Sequence, residues 1–155
     1  MVLNDKDMTI ISRFRRNARE SLTTASRKTG IPISTIYDKL QRYEGSIVRK
    51  HTMLLDFAKL GFHLKVLNII RVQKEDRDGL QHFLNNHPRV NSLYKVSSGQ
   101  DFIVEGIFRN LHEFSLFIDK VDAFAIVERK EFYIIEDLKQ EGFLENQELL
   151  EVSLR

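Results

Sequence analysis

The stretch Thr29–Tyr43, "TGIPISTIYDKLQRY", decides how the N-terminal third is read. Gly30 closes one helical pattern, because a residue without Cβ adopts the left-handed backbone that ends a helix. Ile31 to Ile33 form an elbow, and Ser34 is the expected N-cap of a new helix after Pro32. Ile36, Leu40 and Tyr43 then recur at i, i+4 and i+7, so they share one face. A turn of about 100° per residue puts Ser34, Thr35, Asp38, Gln41 and Arg42 on the opposite face, with Tyr37 and Lys39 on the flanks.

Two further helical patterns precede this one. Asn4 followed by Asp7 resembles a capping box, and Ile10, Ile11 and Phe14 make an apolar stripe behind it. Arg13, Arg15 and Arg16 crowd the last turn, where they complement the helix dipole. Ser21 is a good N-cap for a second helix, whose Leu22, Ala25 and Thr29 face inward. Helix, short glycine-containing turn and helix together make a helix-turn-helix.

Charge separates this segment from the rest. Residues 1–51 hold eleven Lys and Arg against five Asp and Glu, a net +6, while residues 52–155 carry −4. Such asymmetry points to a polyanion as partner of the basic end. A polar outer face beside that charge fits double-stranded DNA. Thr, Gln and Arg suit base edges, whereas Asp38 repels phosphates.

Other classes are disfavoured. The chain has 155 residues, 42% apolar and 30% charged, with two prolines and no cysteine. That composition is of a folded protein without disulfides or thiolate metal ligands. The start, "MVLNDKDMT", lacks the apolar core of a signal peptide, and no apolar run reaches the roughly 20 residues that span a bilayer. A cytoplasmic protein without membrane association is therefore expected. The five histidines form no HxxxH pair, and no glycine-rich phosphate loop occurs. No metal, no cofactor and no enzymatic activity are expected.

The C-terminal two thirds changes period. Phe62–Val72 is apolar on both faces, with Phe62, Leu64, Val66, Ile70 and Val72 on one and Leu67 and Ile69 on the other. A helix is expected over Lys74–Asn86, strands over Val90–Val96 and Phe102–Phe108 around "SSGQD", a helix over Leu111–Val121, and a strand over Ile126–Glu136. The second helix carries Leu111, Phe114, Phe117, Ile118 and Val121 on its inner stripe. The order βαββαβ is the ferredoxin-like pattern, with both helices on one sheet face. Leu67, Ile69, Ile103 and Ile107 leave the other face too apolar for water, so a second copy is expected to cover it. The fold class is α+β. The expected divisions are a helix-turn-helix domain (1–48), a hinge strand and linker (49–61), a ferredoxin-like dimerisation and effector domain (62–140) and an acidic tail (141–155). The tail has a weak helical stripe of Phe143, Leu144, Leu149 and Leu150.

The whole resembles the Lrp/AsnC (feast/famine) transcription regulators over residues 3 to about 140. The resemblance rests on "LNDKDMTIISRFRRNARESLTTASRKTGIPISTIYDKLQRYE", on "TMLLDFAKLG", which is similar to the hinge, and on "VSSGQDF" and "VERKEFYIIEDLKQ", similar to the regulatory sheet. It implies a sequence-specific regulator of promoter DNA. It also implies a homodimer assembling to a tetramer, octamer or larger ring, modulated by an amino acid or another small effector. Ser98, Gly99, Gln100 and Asp101 fall in the effector loop, where the usual pattern is Gly-x-x-Asp and Ser98 takes the glycine slot. A usual Thr-x-Thr in the last strand is replaced by Arg129-Lys130-Glu131, for which charged contacts between dimers are expected.

Within that scheme, Ser34 and Thr35 contact phosphate or a base edge, Gln41 suits adenine, and Arg42 suits guanine or phosphate. Tyr37 and Lys39 are assigned to the DNA backbone, and Arg19, Arg49 and Lys50 to flanking phosphates. Asp38 accepts a bond from cytosine or clamps Arg42 at i, i+4, the second being preferred. A sequence-independent DNA-packing protein is the alternative. An enzyme similar to the sirohaem decarboxylases, a related branch, is a more distant one.

Overall fold

The computed structural model describes residues 3–145. They group into two compact units. Of the described residues, one takes those up to Met53 together with those from Leu138 to Glu145, and the other is Leu54–Asp137.

The first unit is built on three helices, α1 (Asp5–Arg16), α2 (Leu22–Thr29) and α3 (Ile33–Tyr43). Asn4 caps α1 in a complete capping box: its side chain accepts the Asp7 N–H at 3.0 Å, and its own N–H donates to Asp7 Oδ2 at 2.9 Å. Ser21 caps α2, and Gly30 closes it at φ 70°, the left-handed region. Helix α3 starts two residues earlier than expected. Pro32, not Ser34, is its N-cap, and no side chain caps it. The Pro32 carbonyl already accepts the Ile36 N–H at 3.0 Å, which makes Ser34 the second helical residue. Proline's fixed φ and missing donor suit this boundary.

The core of this unit is small. Ile10, Ala25, Ile31, Ile36 and Tyr43 are buried, with Ile11, Phe14, Leu22, Leu40 and Val48 packed against them. Polar links supplement it. Arg13 donates to both Glu20 oxygens, holding that carboxyl below the usual range. Asp7, also buried, accepts from Lys39 Nζ and Tyr43 Oη with its Oδ1, tying α1 to α3. Burial pushes the Asp7 carboxyl up, but bonds from Asn4, Lys39 and Tyr43 outweigh it and hold the group at about 2. Burial and Asp7 together push the Tyr43 hydroxyl far above its ordinary value. From the returning segment, Glu141 pairs with Arg15, whose Nε also donates to the Phe143 carbonyl at 3.3 Å. Phe143 is exposed, and Leu149 and Leu150 of the expected tail stripe lie outside the described residues.

The second unit is a four-stranded antiparallel sheet with two helices. Its elements are β1 (Leu64–Val72), α4 (Arg77–Asn86), β2 (Val90–Lys95), β3 (Phe102–Phe108), α5 (Leu111–Val121) and β4 (Ile126–Ile134). The strand order is β2-β3-β1-β4, as the split βαβ arrangement requires. Val66, Ile70, Val72, Phe102, Val104 and Phe108 pack on Leu80, Leu84, Phe114, Phe117 and Val121. Helix α4 is preceded by a 3₁₀ turn at Lys74–Asp76, and β4 stops two residues short of the expected Glu136. Leu111, expected inside, is exposed at the start of α5. It is the first residue after the Asn110 cap, ahead of the turn that meets the sheet. Residues 49–61, the expected hinge strand and linker, hold a 3₁₀ turn at Ala58–Leu60 and pair with no strand of this chain.

The Asp7 link generates a stability prediction. A carboxyl depressed from 3.8 to about 2 stabilises fully above its ordinary value, and the effect is lost as pH falls through about 2. Asp7→Asn is expected to lower unfolding free energy by about 2 kcal/mol at pH 7. The acid limb between pH 4 and 2 should flatten with it. Urea unfolding followed by circular dichroism across that range checks both.

Candidate nucleic-acid interface

The outer face of α3 is defined by exposure. Ile33, Ser34, Tyr37, Asp38, Gln41 and Arg42 are exposed, while Ile36 and Tyr43 are buried and Leu40 is half-buried. These exposed positions fall at i, i+1, i+4, i+5, i+8 and i+9, a stripe along one side of a helix. Thr35 is half-buried at the edge of the stripe. The uncapped start of α3 leaves the first-turn N–H groups without a side-chain partner, the arrangement that suits an anion.

Two expected members of this face behave differently. The Lys39 side chain is only 14% exposed and pairs with Asp7 inside the unit. It therefore holds α3 in place, and the stem that could reach a phosphate is turned inward. The expected Asp38–Arg42 clamp takes another form. Arg42 Nε donates to the Asp38 backbone carbonyl at 3.3 Å, and no ion pair joins the two side chains among the described residues. The Asp38 carboxylate is thus free to accept a bond from outside.

The cations of the unit divide into committed and free. Arg13 and Lys28 pair with Glu20, Arg15 with Glu141, and Lys39 with Asp7. Among the described residues, Lys6, Arg16, Arg19, Arg27, Arg42, Arg49 and Lys50 are exposed and make no ion pair. Arg19, Arg49 and Lys50 of the expected flanking set are all in the free group. Arg16 and Arg27 were not anticipated. Their signal in the sequence was only charge, which does not separate a free cation from a paired one.

In the second unit, the expected effector loop is largely occupied by its own chain. Asp101 is buried; its Oδ2 accepts the Val72 N–H at 2.9 Å and its Oδ1 pairs with Arg77 at 2.7 Å. Gln100 donates to Glu128 at 3.2 Å. Ser98 and Gly99 are exposed at the tip, with φ 68° and 89°. The backbone at Ser98 therefore keeps the left-handed conformation that glycine adopts freely. Arg129 and Glu131 do not project toward the outer sheet face. They pair with Ile70 and Asn68 across β1 and β4, and so lie on the helix-covered side. There Arg129 bonds Glu131 at 3.0 Å and also pairs with Asp122, both contacts within the chain. The outer face instead carries Leu67, Ile69 and Ile103, half-buried, with Tyr94 and Phe132 exposed beside them. No group of His, Asp or Glu that could hold a metal ion occurs among the described residues. None of the described helices is long and apolar enough to cross a membrane.

Comparison with known proteins gives a consistent result. No family model matches the chain. An uncharacterised HTH-type transcriptional regulator of Pyrococcus furiosus is 24% identical over 144 residues, covering 92% of this chain and 97% of the relative. The HTH-type transcriptional regulator FL11 of the same organism is 25% identical over 128 residues, covering 82% and 85%. Among solved structures, a Neisseria meningitidis transcriptional regulator in complex with L-Met superposes with TM-score 0.82 at 18% identity, over 90% and 94% of the two chains. LrpC of Bacillus subtilis gives 0.81 at 18%, over 90% and 99%, and AsnC of Escherichia coli gives 0.80 at 14%, over 93% and 99%.

The division between Lys39 and Arg42 is testable without DNA. Lys39→Met leaves Asp7 buried without its cation and should destabilise the chain by about 2 kcal/mol. Arg42→Ala, on the outer face, should stay within about 0.5 kcal/mol of the parent. Urea midpoints of the two variants decide the point.

Proposed function

We propose that this chain, which has the fold of the Lrp/AsnC regulators and is related to HTH-type transcriptional regulators, is a sequence-specific DNA-binding transcription regulator working as a dimer or larger oligomer. The observation that carries this reading is the outer face of α3: an exposed stripe in which Ser34, Asp38, Gln41 and Arg42 offer hydrogen-bonding groups, on a helix whose opposite face is locked into a core. A helix of about 10–12 Å diameter fits the major groove of B-DNA. Gln41 and Arg42 reach base edges, the free Asp38 carboxylate accepts from cytosine, and Ser34 and Thr35 lie beside N–H groups that suit phosphate. Arg16, Arg19, Arg27, Arg49 and Lys50 supply phosphate contacts that position the protein without specifying sequence.

The outer sheet face, where Leu67, Ile69, Ile103, Tyr94 and Phe132 lie among Lys65, Glu105 and Lys130, supports pairing with a second copy, and so two α3 helices on one operator. Half-sites one helical turn apart, or a multiple of it, follow from that symmetry. The commitment of Gln100 to Glu128 and of Asp101 to Val72 and Arg77 leaves Ser98 and Gly99 as the part of the loop open to an amino acid or other small effector. The names of the relatives support a regulator over an enzyme.

Selection from random duplexes should return an enriched motif with two-fold symmetry. A log K against log salt slope of roughly −5 to −9 is expected, from about six to ten phosphates at −0.9 each. Arg42→Ala and Gln41→Ala should each relax one motif position at a cost of about tenfold in affinity. Binding with no enriched motif would instead favour sequence-independent packing of DNA.

A further inference from the structure

The exposed stripe of α3 is not wholly polar. Ile33, its first helical residue, is 45% exposed, and Tyr37, one turn later, is 53% exposed. Neither belongs to the three-helix core, and the Tyr37 hydroxyl forms no hydrogen bond among the described residues. Side chains at i and i+4 stack along one side of a helix, so the two make one apolar strip that Gln41 extends. Beside it runs the polar line of Ser34, Asp38 and Arg42. A lone exposed isoleucine is ordinary. An apolar strip embedded in a hydrogen-bonding face, in a unit with seven free cations, has a definite chemical complement. The apolar group that the major groove presents is the C5-methyl of thymine.

We infer that Ile33 and Tyr37 read thymine methyl groups, giving the operator obligatory thymines beside the positions read by Gln41 and Arg42. This rests on the assignment of α3 as the reading helix. Four residues of helix advance about 6 Å, close to two base steps of about 3.4 Å. The two methyls therefore lie within about three consecutive base pairs of each half-site. Tyr37 covers a methyl with its ring and keeps its hydroxyl toward solvent or phosphate, as an amphipathic side chain does.

Replacing one thymine at a time by deoxyuracil in the selected duplex removes the methyl and keeps pairing and charge. The full chain should lose about fourfold in affinity at one or two thymines per half-site, the equivalent of one buried methylene. Ile33→Ala should lose affinity for the thymine duplex and then be indifferent to uracil at one of those positions; Tyr37→Ala should behave likewise at the other. Both variants lie outside the core, so unchanged melting curves confirm that they are folded. Indifference of the parent chain to uracil everywhere, with a motif still selected, overturns methyl reading and leaves DNA reading standing. A uracil penalty that persists in both variants also overturns it. Absence of DNA binding removes the reading helix itself, and this inference with it.

Discussion

The side chain of Asp7 gives one oxygen to the N-terminus of its own helix and the other to α3. Oδ2 completes the capping box with Asn4, and Oδ1 accepts from Lys39 and Tyr43, 32 and 36 residues downstream. The three-helix core is thin, and a thin core alone fixes rotation weakly. A slip of α3 by one residue would turn it by about 100° and bring Ile36 toward solvent. The Asp7 bonds fix that rotation, because Lys39 and Tyr43 must both point at one carboxylate. The polar stripe of α3 faces outward as a consequence. An unpaired buried carboxylate is costly, so the interaction is specific as well as stabilising.

The same economy of charge shapes the rest of the unit. Glu20 pairs with both Arg13 and Lys28, and Glu141 engages Arg15 from a segment more than a hundred residues downstream. What remains exposed is a set of arginines and lysines without carboxylate partners. In the sheet unit, parity performs the corresponding sorting. Arg129 and Glu131 fall on the helix side and satisfy each other, while Leu67, Ile69 and Ile103 fall on the open side. A one-residue shift of register would exchange these sets. The polar and apolar surfaces available to partners therefore follow from one helix rotation and one strand register.

Local signals were legible in the sequence. The Asn4–Asp7 box, the Ser21 cap, the Gly30 exit and the alternation in β1 each involve residues close in the chain, and all recur in the structure. The inner face of α3 was legible for the same reason. What was not legible depends on residues far apart. Lys39 reads as a flank cation until Asp7 is placed beside it. Ile33 reads as part of an elbow, because the helix start depends on Pro32 accepting the first bond. Asp101 reads as an open loop acid, although β1 and Arg77 use both of its oxygens.

On the proposed function, a symmetric pair of α3 helices enters the major groove. Methylation of guanine N7, a major-groove atom, probes this directly. On a selected duplex, interference is expected only in two patches separated by about one helical turn or a multiple of it. Arg42→Ala should remove the interference at one guanine in each patch. Interference spread evenly along the duplex, or absent while binding persists, would contradict it.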